Sequence, residues 1–406
     1  MARASRWAGS EAVAPAGDPE RFQPAGPRAQ EAALFALLAL LLLLRHAPAV
    51  FSPLPLIDEE YYLRAFAAVR EGLSPYSVDG FFYPPGFAAL GGWLAGWLPE
   101  RGLLYGLRGL NLAALLWLVA ASSRGAGFGW CGRALLAAAA ILLAPGIALG
   151  VLAGNISFTA AAAILAAGLH WRRHPWIAGP LLGASLAIKP MATGAIAVLG
   201  TFRSRERNPR LRLLAGAGLA ALATTLPFRS LLADYLQLGA TLPGERYPLT
   251  RTIGVHRLLV NLGWETERIW ALLLVLAIAL LAGQWRARSD RQILFAALAT
   301  TTLTIPVLWS HALAVTLPLQ MAAAGRCLGA GRTRIPRLHR IAILALVLAL
   351  QFTDGIGGLA PGPSLPLALA LLPLLAAPVV LAGWLGRQEE SAALSGGAMA
   401  APGAGG

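Results

Sequence analysis

The chain has 406 residues, of which 57% are hydrophobic and only 13% are charged, and its mean hydropathy is +0.63. Soluble domains contain about a quarter charged residues, so this composition excludes a soluble protein and indicates an integral membrane protein. The net charge of +14 does not indicate nucleic acid, because the arginines cluster in short loops between apolar segments, as the positive-inside rule describes. Two distant cysteines, Cys131 and Cys327, suggest neither a metal site nor a disulfide framework.

Apolar segments follow one another along most of the chain, and each approaches the ~20 residues that a helix needs to cross a bilayer. They lie near residues 32–50, 83–98, 102–121, 133–151, 156–170, 175–200, 211–228, 267–285, 290–308, 311–326, 338–353 and 364–386. The sequence therefore predicts an all-α integral membrane protein with about ten to twelve transmembrane helices. Segments 83–98 and 156–170 are short enough to be tilted or re-entrant.

The ends of the chain differ from its middle in composition. Residues 1–30 are rich in Ala, Pro, Gly and Arg, and residues 388–406 are rich in Gly and Ala. Such segments cannot bury a core, so we expect two disordered tails around one multi-pass transmembrane domain at 31–387.

The arginine-rich loops predict the topology, because they remain in the cytoplasm. With the N-terminus and the loops at 202–212, 284–291 and 326–340 inside, three polar stretches share the outer face. These are 51–82, 229–265 and Trp309-Ser310-His311. In the middle of the chain the rule is violated at Arg124 and Arg133, unless Pro145 breaks one helix into two half-spans.

Asp58, Glu59 and Glu60 follow the first apolar segment, in a chain with only 19 acidic residues. A carboxylate at the mouth of a helix bundle can be a catalytic base, a metal ligand or a proton carrier, but Asp is also a favoured N-cap. Residues 59–71 have helical spacing, which predicts a short interfacial helix with Asp58 at its N-cap. Glu60 and Arg64 are four residues apart and are expected to pair on the solvated face.

Basic residues inside apolar segments are the second signal. Lys189 is the only lysine among the 33 basic residues, and it precedes Pro190 in an apolar segment. An ammonium group is costly there and suggests a phosphate or carboxylate partner, although a lysine near a helix end can also snorkel to the interface. Arg108 is another intramembrane charge. His311 lies on the same predicted face as Asp58.

Four short stretches occur in one order from about residue 58 to residue 320. They are Asp58-Glu59 with Tyr62; Gly72-x-x-Pro75-Tyr76 with Tyr83-Pro84-Pro85; Gly154-Asn155 followed by Gly179-x-x-x-Gly183 and Lys189-Pro190; and Trp309-Ser310-His311. Together they resemble the GT-C superfamily of membrane glycosyltransferases, and most closely glycosyltransferase family 87, the polyprenol-phosphate-mannose-dependent mannosyltransferases. The resemblance implies a GT-C-type bundle with short interfacial helices in the first outside loop.

The resemblance also implies that Asp58 is the general base and that His311 lies at the donor phosphate. From charge and position we add Lys189, Arg108 and Arg251 as further donor-phosphate residues. The residues expected to line the acceptor and the sugar are Tyr62, Tyr83, Asn155 and Trp309. Glu59 is a second acidic residue and a candidate ligand for a divalent metal ion, Mg²⁺ or Mn²⁺, since GT-C enzymes differ in metal need. A base beside a cationic phosphate site should have, if anything, a lowered pKa.

The predicted function is inverting transfer of a hexose to a lipid or glycan acceptor, on the outer face of the plasma (inner) membrane. The donor would be a polyprenyl-phosphate sugar drawn from the membrane lipids, with mannose first and then arabinose or another hexose. The alternative is a secondary transporter or lipid-linked-sugar flippase, in which Asp58 and Lys189 form a charge pair along a pathway. The sequence shows no internal repeat, which disfavours the transporter.

Overall fold

The structure, a computed structural model, describes residues 28–201, 207–241, 289–304, 310–329, 335–351 and 376–389. Within these ranges the chain forms helices and loops, without a β-strand. The helices are α1 (Arg28–Val50), α2 (Ile57–Arg70), α3 (Pro85–Ala95), α4 (Glu100–Arg124), α5 (Trp130–Leu143), α6 (Pro145–Ala153), α7 (Ser157–His170), α8 (Pro175–Ile188), α9 (Thr193–Thr201), α10 (Arg207–Thr225), α11 (Arg229–Thr241), α12 (Asp290–Thr304), α13 (Leu317–Leu328), α14 (Arg337–Gln351) and α15 (376–389).

Some of these helices are long enough to span a membrane. Among the described residues three helical stretches are long and apolar enough to cross a bilayer: Ala29–Val50, Glu100–Arg124 and Asn208–Leu238. The bent pair α5 and α6 adds a fourth if it is one span, with an angle of 57° at its break. Pro145 begins α6 there and has no N–H to continue the α5 ladder, so the break that the sequence left open is present.

Other predicted spans are shorter than the sequence suggested. The segment near 83–98 contains only α3, of 11 residues, which is too short to cross a bilayer on its own. The segment near 175–200 is not one helix, because α8 ends at Ile188 and α9 begins at Thr193. Helix α7, at 14 residues, is also below the usual length.

Ion pairs gather at one end of the helices, which we call the Glu31 end. Glu31, at the start of α1, accepts hydrogen bonds from Arg124 at 2.9 Å and from Arg133 at 2.8 Å. Arg172 pairs with Asp290 at 2.7 Å where α7 has ended and α12 begins. The two arginines that violated the positive-inside rule therefore lie beside the N-terminal end of α1, since α3 does not span and α5 breaks at its C-terminal end.

At the opposite end, which we call the Asp58 end, α1 leads into α2 and α6 leads into α7. Helix α11 reaches the same end, because Ser74 Oγ donates to Asp234 Oδ2 at 2.6 Å. The structure thus brings together the segments 51–82 and 229–241, which the sequence had assigned to one face. Residues 242–265 lie outside the described ranges.

Small residues allow α8 and α10 to approach closely. A Cβ atom on Gly183 would lie 2.6 Å from the carbonyl oxygen of Ala217, and one on Gly179 would collide with the carbonyl oxygen of Leu213. Helix packing inside membranes depends on such small-xxx-small surfaces, since lipid supplies no hydrophobic drive between helices. This contact fixes the end of α8, where Lys189 follows.

Candidate active site

Helix α2 presents the acidic cluster at its first turn. The helix begins at Ile57 with Leu56 as its N-cap, so the prediction that Asp58 is the N-cap is wrong. Glu59 instead reaches back to the cap, where its Oε2 accepts the backbone N–H of Leu56 at 2.8 Å. Glu60 and Arg64 are exposed and 4.0 Å apart, which confirms the predicted surface pair. Asp58 is half-buried and is left without a capping role.

Glu59 and Arg108 form a buried ion pair. Their side chains are only 2% and 5% exposed, and the distances are 2.9 Å from Nε to Oε1 and 2.5 Å from Nη2 to Oε2. Arg108 also donates to the carbonyl oxygens of Val50, Ser52 and Leu54. Arg108 and Glu59 therefore engage each other in this structure, and their roles at a donor phosphate and a metal ion stay predictions.

Asn155 connects Asp58 to the rest of the site. It follows Gly154, whose left-handed conformation (φ 70°) ends α6, as glycine commonly does at a helix C-terminus. Its Nδ2 donates to Asp58 Oδ2 at 2.5 Å and to the Tyr83 hydroxyl at 3.0 Å. Its Oδ1 accepts the backbone N–H of Ser157 at 3.0 Å. These partners determine the orientation of the amide, because only the NH₂ side can face a carboxylate.

Lys189 lies on the other side of the same amide. It is the extended residue that ends α8 (φ −156°, ψ 134°), and Pro190 after it disfavours a helical conformation there. Its Nζ donates to Ser157 Oγ at 2.6 Å and to Asn155 Oδ1 at 3.2 Å, and it lies 5.7 Å from the ring centre of Tyr83. The ammonium group therefore contacts polar groups of the protein interior.

Two tyrosines form the wall behind Asp58. The hydroxyl of Tyr62 donates to that of Tyr83 at 2.7 Å, and their rings meet edge to face at 4.8 Å. The backbone N–H of Ile156 donates to the Tyr62 hydroxyl at 3.3 Å. Both tyrosines are buried among further aromatic rings from α2 and α3. Burial raises the pKa of Tyr62 well above its usual range, so its hydroxyl is neutral.

The direction in which the pKa of Asp58 shifts differs from the prediction. Burial raises the pKa of its carboxyl, while the hydrogen bond from Asn155 and the charge of Lys189 lower it, and the charge of Glu59 raises it further. The balance is a raised pKa, so the expected lowering is wrong. The reason is that desolvation exceeds the attraction of a single ammonium group.

The remaining predicted residues are described only in part. Arg251 and Trp309 lie outside the described residues, as does the side chain of His311. The backbone of His311 belongs to a 3-10 segment, Ser310–Thr316, that packs against α6 and α7. These are the two helices on either side of Asn155, so the segment lies against the elements that build the site.

Ser157 is a contact that the sequence did not reveal. In the sequence the triplet Asn155-Ile156-Ser157 matches a glycosylation sequon, a pattern too common to indicate a role for Ser157. A pair of polar residues at the start of an apolar helix was the available signal, since such residues need partners inside the bundle.

The described residues offer no metal-ligand set. Within those ranges no group of three or more His, Cys, Asp or Glu side chains is placed to hold a metal ion. Mg²⁺ and Mn²⁺ prefer oxygen ligands, but the Glu59 carboxylate is taken up by Arg108 and Leu56.

The arrangement leaves one carboxylate oxygen for chemistry. Oδ2 of Asp58 accepts from Asn155, and Oδ1 has no hydrogen-bond partner among the described residues. A half-buried carboxylate with a free oxygen and a raised pKa can accept a proton. The adjacent ammonium group can stabilise negative charge that develops nearby.

Fold and site define a helical membrane protein with a carboxylate, an amide and an ammonium group assembled at one end of its helices. The family model of glycosyltransferase family 87 matches residues 81–316. This is more than half of the 406-residue chain. The chain therefore belongs to glycosyltransferase family 87 and is a membrane glycosyltransferase. Neither the curated proteins nor the solved structures contain a match to it.

Proposed function

We propose that this glycosyltransferase moves a hexose from a polyprenyl-phosphate donor to an acceptor hydroxyl of a lipid or glycan, with inversion at the anomeric carbon. Mannose is our first choice of sugar, followed by arabinose or another hexose. The described helices would form part of a GT-C-type bundle of about ten to twelve spans, with α2 and α3 as its interfacial helices. The donor and a lipid acceptor would both come from the membrane.

One observation carries the proposal: a single amide holds both Asp58 and Lys189. Asn155 donates to the carboxylate with Nδ2 and accepts from the ammonium group with Oδ1. Transfer from a phosphate leaving group needs a base on the acceptor side and a cation on the phosphate side. The Asn155 amide holds both groups, the carboxylate of Asp58 and the ammonium group of Lys189, close to each other.

The reaction would proceed in one displacement. As the acceptor oxygen attacks the anomeric carbon, Oδ1 of Asp58 takes the hydroxyl proton. The new bond joins that oxygen to the anomeric carbon, and the bond from this carbon to the phosphate oxygen breaks. The polyprenyl phosphate leaves with the bonding electron pair, and Lys189 stabilises its growing negative charge. His311 and Arg251 remain proposed contacts of the same phosphate.

The site would face the outer side of the plasma (inner) membrane. The loops that contain most of the arginines belong to the cytoplasmic side by the positive-inside rule, and the Glu31 end carries Arg124, Arg133 and Arg172. The Asp58 end is then extracytoplasmic. Lipid-linked sugars supply activated substrate on that side of the membrane without a soluble nucleotide-sugar domain.

The test compares membranes that contain wild-type protein, Asp58→Asn or Glu60→Gln, supplied with radiolabelled polyprenyl-phosphate mannose and native lipid extract. We expect transfer to a new lipid or glycan by the wild type and by Glu60→Gln, because Glu60 is exposed at the opposite side of the turn. Asp58→Asn should lose at least about a hundredfold in rate.

Two results would contradict the proposal. Equal transfer by Asp58→Asn and wild type would remove Asp58 from the chemistry. No transfer with mannose, arabinose or glucose donors, together with movement of intact lipid-linked sugar across proteoliposomes, would favour the transporter.

A further inference from the structure

We infer that Arg108 and Glu59 are positioning residues, which hold the first turn of α2 so that Asp58 meets Asn155. The inference rests on the proposed role of Asp58 as the base. It replaces the roles in phosphate and metal binding that the sequence had suggested for this pair. We call Arg108, Glu59 and the carbonyl groups of Val50, Ser52 and Leu54 the Arg108 clamp.

Arg108 uses its full set of donors inside the clamp. A guanidinium group has five N–H donors. Nε and one N–H of Nη2 bind Glu59, the other N–H of Nη2 binds Leu54, and Nη1 binds Val50 and Ser52. With every donor committed and the side chain only 5% exposed, Arg108 has nothing left for a substrate. Its hydrogen bonds are confined to Glu59 and to the connector between α1 and α2.

The connector needs this support because of its sequence. It reads Phe51-Ser52-Pro53-Leu54-Pro55-Leu56, and its two prolines lack the N–H groups that would build a helix or a ladder. The carbonyl groups of Ser52 and Leu54 lie on the side of Arg108, two residues apart. Within the connector the Ser52 hydroxyl bonds to Leu54, and Arg108 adds the donors that the two prolines lack.

Two consecutive residues of α2 contact two consecutive residues of the α6–α7 junction beside the clamp. Glu59 packs against Gly154, where a Cβ atom would lie 2.5 Å from Glu59 Cγ. The preceding Asp58 bonds to the following Asn155. A shift of Glu59 therefore displaces α2 relative to the α6–α7 junction and changes the distance from the base to its amide partner.

Charge connects the clamp to the base as well. Among the described residues, the groups that face Asp58 are Lys189, Asn155, Tyr62 and Glu59, and the negative charge of Glu59 opposes ionisation of Asp58. Arg108 neutralises Glu59 at 2.5 Å. Removing only Glu59 leaves an arginine that stays protonated at any working pH, and this positive charge favours the ionised base.

The experiment measures pH profiles of kcat and KM for Glu59→Gln, Arg108→Lys, Arg108→Met and the double variant Glu59→Gln/Arg108→Met. We expect the acid limb of Glu59→Gln to move to lower pH and to return in the double variant. Arg108→Lys keeps the charge, so its acid limb should stay in place. Arg108→Lys and Arg108→Met should lose about ten- to hundredfold in kcat, with a smaller change in KM.

A matched ion pair provides the control. Glu31→Gln removes a carboxylate from two arginines at the Glu31 end, and it should leave the acid limb unchanged. A merely structural clamp would lower the yield of folded protein but leave the acid limb of Glu59→Gln at the wild-type pH. That result, or a double variant that fails to reverse the shift, would overturn the inference.

A second readout does not depend on activity. Amide hydrogen exchange of a peptide covering residues 50–60 should become faster in Arg108→Met than in Glu31→Gln. Unchanged exchange would also overturn the inference. If the wild type transfers no sugar at all, the proposed function fails, and the exchange measurement alone decides whether the clamp exists.

Discussion

Nδ2 of Asn155 lies 2.5 Å from Oδ2 of Asp58, although the two residues are 97 positions apart in the sequence. The opposite side of the same amide accepts from Lys189. Rotation of the amide would place its oxygen against the carboxylate and its NH₂ group against the ammonium group. The orientation of the base is therefore coupled to the position of the cation.

Replacing Asn155 by aspartate tests this coupling. Asn155→Asp places a second carboxylate at hydrogen-bonding distance from Asp58, and like charges raise the pKa of the base. We expect the acid limb of kcat/KM to move to higher pH and kcat to fall by about tenfold or more. Asn155→Gln keeps both amide donors and is the control, with an acid limb closer to that of the wild type. An acid limb that does not move in Asn155→Asp would mean that Asn155 does not influence the pKa of the base.

The raised pKa of Asp58 predicts the pH dependence of the wild type. A base works only when ionised, so activity should fall as pH drops through the raised pKa of Asp58, above the ~3.9 of an ordinary aspartate. The measurement is the initial rate of sugar transfer from about pH 4 to about pH 8. This is the range in which carboxyl groups of raised pKa titrate. Undiminished transfer at about pH 4 would contradict it.

The same shift has a consequence for stability. A carboxyl whose pKa is raised on folding binds more protons in the folded state, so its contribution to stability is present at low pH and is lost as pH rises through the folded-state pKa. Above the folded-state pKa the ionised Asp58 therefore costs stability. Thermal unfolding of Asp58→Asn at pH 7, the usual neutral reference, should show a Tm no lower than that of the wild type.

Lys189→Met should change two quantities, kcat and the pH of the acid limb. Loss of the ammonium group removes the proposed support of the leaving phosphate, and we expect kcat to fall by about a hundredfold or more. The charge of Lys189 also lowers the pKa of Asp58, so the acid limb should move to higher pH. Steady-state kinetics over a pH series measure both effects. Wild-type kcat in Lys189→Met would exclude a role at the phosphate.

Gly154→Ala tests the contact between the α6–α7 junction and the clamp. Gly127 and Gly154 both have left-handed backbones, with φ of 74° and 70°, so alanine costs about 1–2 kcal/mol at each. A Cβ atom at Gly127 meets nothing within 4 Å, whereas one at Gly154 lies 2.5 Å from Glu59 Cγ. Gly154→Ala should therefore lower the Tm more than Gly127→Ala and also lower kcat. Equal effects would mean that Glu59 yields without displacing α2.

The polar residues of the site were partly predictable. Asp58 and Lys189 are visible in the sequence because a carboxylate cluster and a lone lysine are costly in an apolar chain. The pairing of Glu60 with Arg64 followed from helical spacing alone. The break at Pro145 followed from the chemistry of proline. Each of these conclusions depends on neighbours within about four residues.

Other features depended on distant neighbours. Arg108 looked like a free intramembrane cation, but its partner Glu59 lies 49 residues away. Asp58 was expected to cap α2 and to have a lowered pKa, whereas the cap is Leu56, two residues earlier, and burial raises the pKa. The degree of burial follows from how α2, α3 and the α6–α7 junction pack, which no local pattern contains.

The sequence by itself determined that this is a helical membrane protein, and it identified the residues whose charge is costly in that setting, because composition and periodicity are local properties. Only the tertiary structure decided that Arg108 belongs to Glu59, and that Asn155 stands between Asp58 and Lys189. The physical reason is that a buried charge takes whichever partner the packing brings within about 3 Å. In this chain that partner comes from a distant segment, α2 for Arg108 and the α6–α7 junction for Asp58.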